Sequence, residues 1–341
     1  MKAVIIESPN TVVITDVESA PLKDNEVRIQ VKAAGICGSD IHAYKGLHPF
    51  RKPPVIIGHE ISGLVIEIGS SVTRVKVGDK VVVQPQVGCG KCDYCLRGEI
   101  NYCENRQAPG VGKWYGTMAE NFVAPEQIVF VLPQDMDYKL GALAEPLTVA
   151  VHAVRRANIQ VGDKVAILGS GPIGLLTLAV AKEAGATTIL TTDVFEYCLN
   201  SAKLLGATHT INIKGKTNWV EEAKELIGGS FDKVFIAAGV PGIINQSLSL
   251  VRKGGRVVTI AMFHGEQSLD IMQLQGQEKE LVGCFCYNSE DTMTAVDLLS
   301  AGRIKSEAIV THVFPYTKAA EGFAMVDKKE GNPLKVLFTF D

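Results

Sequence analysis

The sequence predicts a two-domain α/β protein, with a twisted β-rich domain followed by a doubly wound parallel sheet. Three observations predict it. Apolar and polar residues alternate in short runs near the start: Ala3-Val-Ile-Ile, Thr11-Val-Val-Ile-Thr and Glu26-Val-Arg-Ile-Gln-Val-Lys. A period of two marks antiparallel strands. From about Tyr138 the period becomes helical, and strand and helix patterns then alternate to about residue 285. That alternation is the signature of βαβ units. Finally, the stretch from Val161 to Asp193 joins an apolar strand, a glycine turn, a helix and a second strand that ends on an acid.

In chain order, short strands continue through Ile61-Ser-Gly-Leu-Val-Ile-Glu-Ile-Gly, Asp79-Lys-Val-Val-Val and Ile128-Val-Phe-Val. Glycine and proline punctuate them, so the first 145 or so residues read as a barrel-like domain with few helices. A helix is expected from Leu143 to Arg155. The α/β region is expected as strand 165–168, helix 173–184, strand 188–192, helix 196–205, strand 209–212, helix 218–226, strand 233–236, helix 242–251 and strands 256–260 and 281–285. Two helical stretches follow, Asp291–Ala301 and Thr317–Met325. The last strand, Leu334-Lys-Val-Leu-Phe-Thr-Phe, alternates again and could rejoin the first domain.

Composition narrows the function classes. The chain has 341 residues, with 34 basic against 37 acidic and a net charge of −3. There is no basic stripe or charged tail, which argues against nucleic-acid and anionic-membrane partners. The longest uncharged run, Val165 to Ala181, holds three glycines and a proline. It fits strand, turn and helix better than a membrane span. The N-terminus lacks the apolar stretch of a signal peptide. We therefore expect a soluble, cytoplasmic protein.

The glycine turn carries the first chemical signal. Gly169-Ser-Gly171-Pro172-Ile173-Gly174 follows a strand and opens a helix, and Asp193 lies 19 residues after Gly174. This is the dinucleotide fingerprint in its proper context. Gly169 permits the tight turn, Gly171 lets backbone N–H groups approach a pyrophosphate, and Gly174 lets the helix pack on the strand. Pro172 and Ile173 complete the helix start, whose N-terminus favours phosphate. An acid at 193 accepts hydrogen bonds from a ribose 2′-hydroxyl and repels a 2′-phosphate, which favours NAD over NADP. The plainer alternative is a glycine-rich turn in an ordinary α/β unit.

Five of the eight cysteines lie in the first third. Cys89, Cys92, Cys95 and Cys103 place four thiols within 15 positions. One loop can wrap them around a tetrahedral ion, and four thiolates leave no open position, as in a structural zinc site. An iron–sulfur cluster and four unliganded surface thiols are the alternatives. Cys198, Cys284 and Cys286 show no metal spacing. Three scattered pieces supply a second constellation: Cys37 just after a strand, His59-Glu60, and Glu145 beside the domain changeover. Together they offer thiolate, imidazole and carboxylate, the mixture that catalytic zinc uses while keeping one position open.

These motifs resemble those of the zinc-containing medium-chain dehydrogenases, and within them the polyol and sugar-acid branch. The matching residues are GICGSDIH at 35–42, GHEISGLV at 58–65, GDKV at 78–81, CGKCDYCLRGEINYC at 89–103, AEPL at 144–147 and GSGPIG at 169–174. The resemblance spans essentially the whole chain. It implies a GroES-like catalytic domain over 1–148, a Rossmann domain over 149–286 and a segment, 287–341, that returns to the first. It further implies one structural and one catalytic zinc, with Cys37 and His59 on the latter and Glu60 or Glu145 as the carboxylate. Ser39 and His42 match a proton relay, and Asp40 a group that orients the zinc-bound histidine. The far end of the cofactor is expected near Ala237-Ala238-Gly239. A homodimer or homotetramer is usual for such proteins.

Two departures stand out. The arginine that many relatives carry five residues after the acid of the second strand is Cys198 here. The Phe-Arg-Tyr of sorbitol-type relatives reads Phe285-Cys286-Tyr287, which widens the expected substrates to sugar acids and other secondary alcohols. We therefore expect zinc-dependent, NAD-linked oxidation of a polyol or an acid such as L-idonate, L-gulonate or L-galactonate. L-Threonine or a diol is the alternative substrate, and a non-catalytic NAD-binding protein the alternative from another class.

Overall fold

The computed structural model describes residues 1–340. The chain forms two compact units. The first comprises residues 1–148, 287–302 and 310–340, and the second residues 149–286 and 303–309.

The first unit is built on strands β1 (Lys2–Ser8), β2 (Thr11–Asp16), β3 (Glu26–Gly35), β4 (Val55–Ile56), β5 (Glu60–Ile68), β6 (Lys80–Val83), β7 (Asn121–Pro125) and β8 (Val129–Val131). Three helices punctuate them, α1 (Gly38–Tyr44), α2 (Asp93–Leu96) and α3 (Tyr138–Gly141), and α4 (Ala144–Ala157) begins in this unit and continues into the second. The alternation in β3 buries Val27, Ile29 and Val31 on one face of a shared core with Ile61, Val65, Val81 and Phe122. The sequence did not reveal α1. Its seven residues follow Cys37 directly, and Asp40 in its first turn accepts the Cys37 N–H at 2.9 Å. Such a cap lets a short helix begin without an apolar stripe.

The second unit holds β9 (Lys164–Leu168), β10 (Thr188–Asp193), β11 (His209–Asn212), β12 (Phe231–Ile236), β13 (Val251–Thr259) and β14 (Glu280–Gly283). Its helices are α5 (Pro172–Glu183), α6 (Glu196–Leu205), α7 (Trp219–Ile227), α8 (Ile243–Leu250) and a short α9 (Ile271–Gln275). The strands are all parallel, in the order β11-β10-β9-β12-β13-β14. The order reverses at β9, so the turn that leaves β9 sits at the switch point where such sheets bind ligands. β13 begins five residues before its expected start. β14 stops at Gly283, so the expected strand 281–285 is shorter at its end.

The chain then supplies α10 (Ser289–Ser300), β15 (Val310–Pro315), α11 (Ala319–Lys328) and β16 (Lys335–Thr339). β16 runs antiparallel to β3, so the last strand does rejoin the first sheet. Its other neighbour, β15, is parallel to it and escaped the sequence pattern. β15 has no fully buried residue, so no inward apolar set marked it.

The turn after β9 is sterically closed. A Cβ on Gly174 would lie 1.9 Å from the Gly169 carbonyl oxygen. Gly174→Ala is therefore expected to cost on the order of 3 kcal/mol. Urea unfolding and NAD titration would both register the loss.

Candidate active site

β3 ends at Gly35, and the chain passes Ile36 to Cys37, the N-cap of α1. β5 opens on Glu60, with His59 just before it. Antiparallel pairing sets Gly35 opposite Glu60. One ligand atom from each of Cys37, His59 and Glu60 lies within 4.8 Å of the others. A tetrahedral zinc with bonds of about 2.0–2.3 Å needs ligand atoms spaced closely in this way. Thiolate, imidazole and carboxylate are also its preferred donors, so the residues present fit that ion. Glu145, offered by the sequence as an alternative carboxylate, lies outside the group. It is half-buried in the first turn of α4 and accepts a 2.5 Å hydrogen bond from the Tyr287 hydroxyl.

Electrostatics tie these groups together. Asp40 Oδ1 lies 3.3 Å from His59 Nδ1. Burial would push His59 down, but Asp40 and the Cys37 thiol hold it well above the usual imidazole range. Burial raises Glu145, aided by the neighbouring Glu60 charge, while His59 and the Tyr287 bond work against it. Lys335, at the start of β16, donates to both Glu60 oxygens at 2.8 Å and to the Ile36 carbonyl at 3.1 Å. The two side chains are almost sealed, with Glu60 1% and Lys335 2% exposed. Burial alone would lower Lys335, yet the Glu60 charge holds it above the ordinary lysine value. A Cβ on Gly35 would fall 2.0 Å from Glu60 Oε2, so only glycine leaves room for this carboxylate.

Ser39 and His42, expected from the sequence as a proton relay, lie on α1. Ser39 is in its first turn and its Oγ accepts from Arg51 Nη1 at 3.3 Å, while half-buried His42 sits one turn further on. His48 Nδ1 accepts the Phe50 and Arg51 N–H groups. Burial and the Arg51 cation hold its pKa down at about 4, so it serves as a neutral acceptor.

The second cluster gathers Cys89, Cys92, Cys95 and Cys103, again within 4.8 Å. The lobe has almost no apolar interior, and α2 buries no residue at all. Backbone N–H groups of Lys91 and Cys92 lower Cys89 to about 6, whereas burial and the neighbouring sulfurs raise Cys95 to about 12. Four thiolates cannot coexist so closely without a cation between them. The donor set and its spacing fit zinc.

In the second unit, Gly169 has a φ of +107° and Gly171 is the N-cap of α5, with Pro172 at its first position. A Cβ on Gly171 would meet nothing within 4 Å, so open space faces the N-terminus of α5. Asp193 ends β10. One of its oxygens accepts the Ser170 N–H at 2.8 Å and the other the Val194 and Phe195 N–H groups. The fingerprint residues therefore meet in one place and fit a dinucleotide. Ala237 donates to the Leu168 carbonyl just past the end of β12. Cys198 is buried in α6.

Three residues around the first group carried no assigned role from sequence: Lys335, Tyr287 and Arg51. The only signal for Lys335 was a cation at an inward position of an apolar, alternating strand.

Comparison with known proteins extends these observations. Residues 23–134 match the alcohol dehydrogenase GroES-like domain, and residues 172–301 match the zinc-binding dehydrogenase family. The chain is 35% identical to sorbitol dehydrogenase 1 of Saccharomyces cerevisiae, over 94% of this chain and 93% of the relative. It is 36% identical to the D-arabitol-phosphate dehydrogenase of Enterococcus avium, over 99% and 97%. The crystal structure of L-idonate 5-dehydrogenase from Escherichia coli superposes with a TM-score of 0.90 at 29% identity, covering 99% of this chain and 98% of that one.

Breaking the buried pair should be costly. In metal-free protein, Lys335→Met leaves Glu60 as an uncompensated buried charge and is expected to lose about 3–5 kcal/mol. Adding Glu60→Gln should recover much of that loss, as read by denaturant unfolding of the two variants.

Proposed function

Because the chain belongs to the zinc-binding alcohol dehydrogenase family and is thereby an oxidoreductase acting on CH–OH donors, we propose that it oxidises a secondary alcohol of a polyol or sugar acid to the ketone, with zinc and NAD. One observation carries the proposal: the thiolate, imidazole and carboxylate of Cys37, His59 and Glu60 converge within 4.8 Å, with a further carboxylate, Glu145, outside the group and hydrogen-bonded to Tyr287. The names of the relatives, a sorbitol, an arabitol-phosphate and an idonate dehydrogenase, support the polyol and sugar-acid class.

Cys37, His59 and Glu60 would hold the catalytic zinc, and Cys89, Cys92, Cys95 and Cys103 the structural one. When bound, the catalytic zinc supplies Lewis acidity toward an alcohol oxygen and NAD supplies the hydride acceptor. The protein does the rest by position and charge. Asp40 orients the His59 ring. Lys335 offsets the Glu60 charge and fixes its carboxylate. Tyr287 aims Glu145, which is placed to accept a hydrogen bond from substrate or water. Ser39 Oγ accepts from Arg51 and so keeps its own hydrogen to donate, the polarity that outward proton transfer to His42 requires. Gly171 and the N-terminus of α5 would cradle the pyrophosphate. Asp193 would take the ribose hydroxyls, with lone pairs remaining beyond its backbone contacts.

The direct test is a rate assay with NAD across hexitols, pentitols, hexonates and threonine, each repeated with a zinc chelator. Chelator-sensitive turnover of a polyol or hexonate is the expected result, and turnover of threonine alone would replace the substrate class. The double variant Cys37→Ala, His59→Ala should bind NAD normally and turn over nothing. Asp193→Ser should reduce the preference for NAD over NADP by about tenfold or more, equivalent to about 1.4 kcal/mol, read as the ratio of the two kcat/KM values.

A further inference from the structure

Arg51 is a buried cation with no counter-ion of its own. It is 8% exposed. Its Nη1 donates to Ser39 Oγ at 3.3 Å and its Nε to the Pro109 carbonyl at 3.1 Å. Both acceptors are neutral, and Arg51 forms no ion pair with a carboxylate among the described residues. The charge it feels is that of Asp40. That carboxylate is already committed, with one oxygen on the Cys37 N–H and the other against His59. No acid occurs from Ile41 to His59, a stretch that also carries Lys45 and Lys52. Lys45 is itself bridged to Asp327.

A guanidinium taken out of water loses several kcal/mol of solvation unless an anion or a full set of acceptors replaces it. Here two N–H groups are satisfied and the rest of the planar fork has no protein partner. That fork matches carboxylate and phosphate oxygens, two at a time. Its bonds to Pro109 and Ser39 hold the fork, and the Arg51 backbone N–H is itself tied to His48 Nδ1 at 3.0 Å. Its anchor, Ser39, is two residues from Cys37, so an anion on the fork would belong to a molecule lying against the same site.

We propose that Arg51 recognises an oxyanion on the substrate, so that the alcohol oxidised also bears a carboxylate or phosphate group. The assignment rests on the polyol-type oxidation proposed above and names which members of that class the site takes. A polyol without a charged group would leave the guanidinium buried and unpaired.

The test uses the zinc-replete enzyme with NAD and matched pairs: hexonates against the hexitols of the same configuration, and pentitol phosphates against the free pentitols. The charged member of at least one pair should have a kcat/KM tenfold or more above its neutral partner. Preference in the hexonate pair identifies a carboxylate, and preference in the phosphate pair a phosphate ester. Arg51→Gln should slow both partners by loosening Ser39 and should in addition reduce the charged-to-neutral ratio by ten- to a hundredfold, and Arg51→Lys should restore part of that ratio. Calorimetric binding of the same charged polyols to the enzyme–NADH complex should weaken in parallel. Equal use of charged and neutral partners by the wild type would overturn the assignment. So would an Arg51→Gln variant whose charged-to-neutral ratio is unchanged, because a residue that only ties its loop to Pro109 or sets the Ser39 hydroxyl slows both partners alike. If no alcohol of any charge turned over, the proposed reaction would fail, and the binding measurement would still decide for or against Arg51.

Discussion

The first unit depends on one buried ion pair. Glu60 opens β5 and Lys335 opens β16, 275 residues apart in the chain. β3 lies between these strands, and its Gly35 pairs with Glu60 on one side and Leu337 on the other. A carboxylate sealed in a β-sheet core is tolerable only beside a cation with good geometry. Lys335 provides both oxygens with a donor, and the side-chain space comes from the missing Cβ of Gly35. The last strand thus supplies the cation that makes the acidic donor of the Cys37–His59–Glu60 group tolerable.

The two metal-ligand groups illustrate opposite designs. The four-cysteine lobe has little interior of its own, so an ion would serve as its core, and metal affinity would appear as folding stability. The mixed group sits at the end of β3, the start of β5 and a capped helix, against a large apolar core. Asp40 begins α1 and also faces His59, so one side chain serves the cap and the orientation of the imidazole. The carboxylates are sorted by partner: Glu60 pairs with Lys335 inside the ligand group, and Glu145 is turned toward Tyr287 outside it.

Legibility in the sequence followed distance along the chain. The glycine turn and the cysteine lobe were readable because each is local, with roles fixed by spacing over a few residues. The parallel, doubly wound sheet followed from strand and helix alternation, whereas its strand order did not. Arg51, Tyr287 and Lys335 were given no role because their partners lie 12, 142 and 275 residues away. The same limit left Glu60 and Glu145 tied as candidate ligands. α1 and β15 were missed for a different reason: one is specified by its cap and the other by pairing with β16, and neither carries an apolar period.

The central claim is that Cys37, His59 and Glu60, with Glu145 outside them, form a zinc site distinct from the four-thiolate lobe. The most direct measurement is anomalous diffraction at the zinc edge from crystals of the zinc-replete protein. The account predicts two peaks per chain, one among Cys89, Cys92, Cys95 and Cys103 and one bonded to Cys37, His59 and Glu60. A second peak ligated by Glu145 while Glu60 remained bidentate on Lys335, or no peak beside Cys37 and His59, would contradict it.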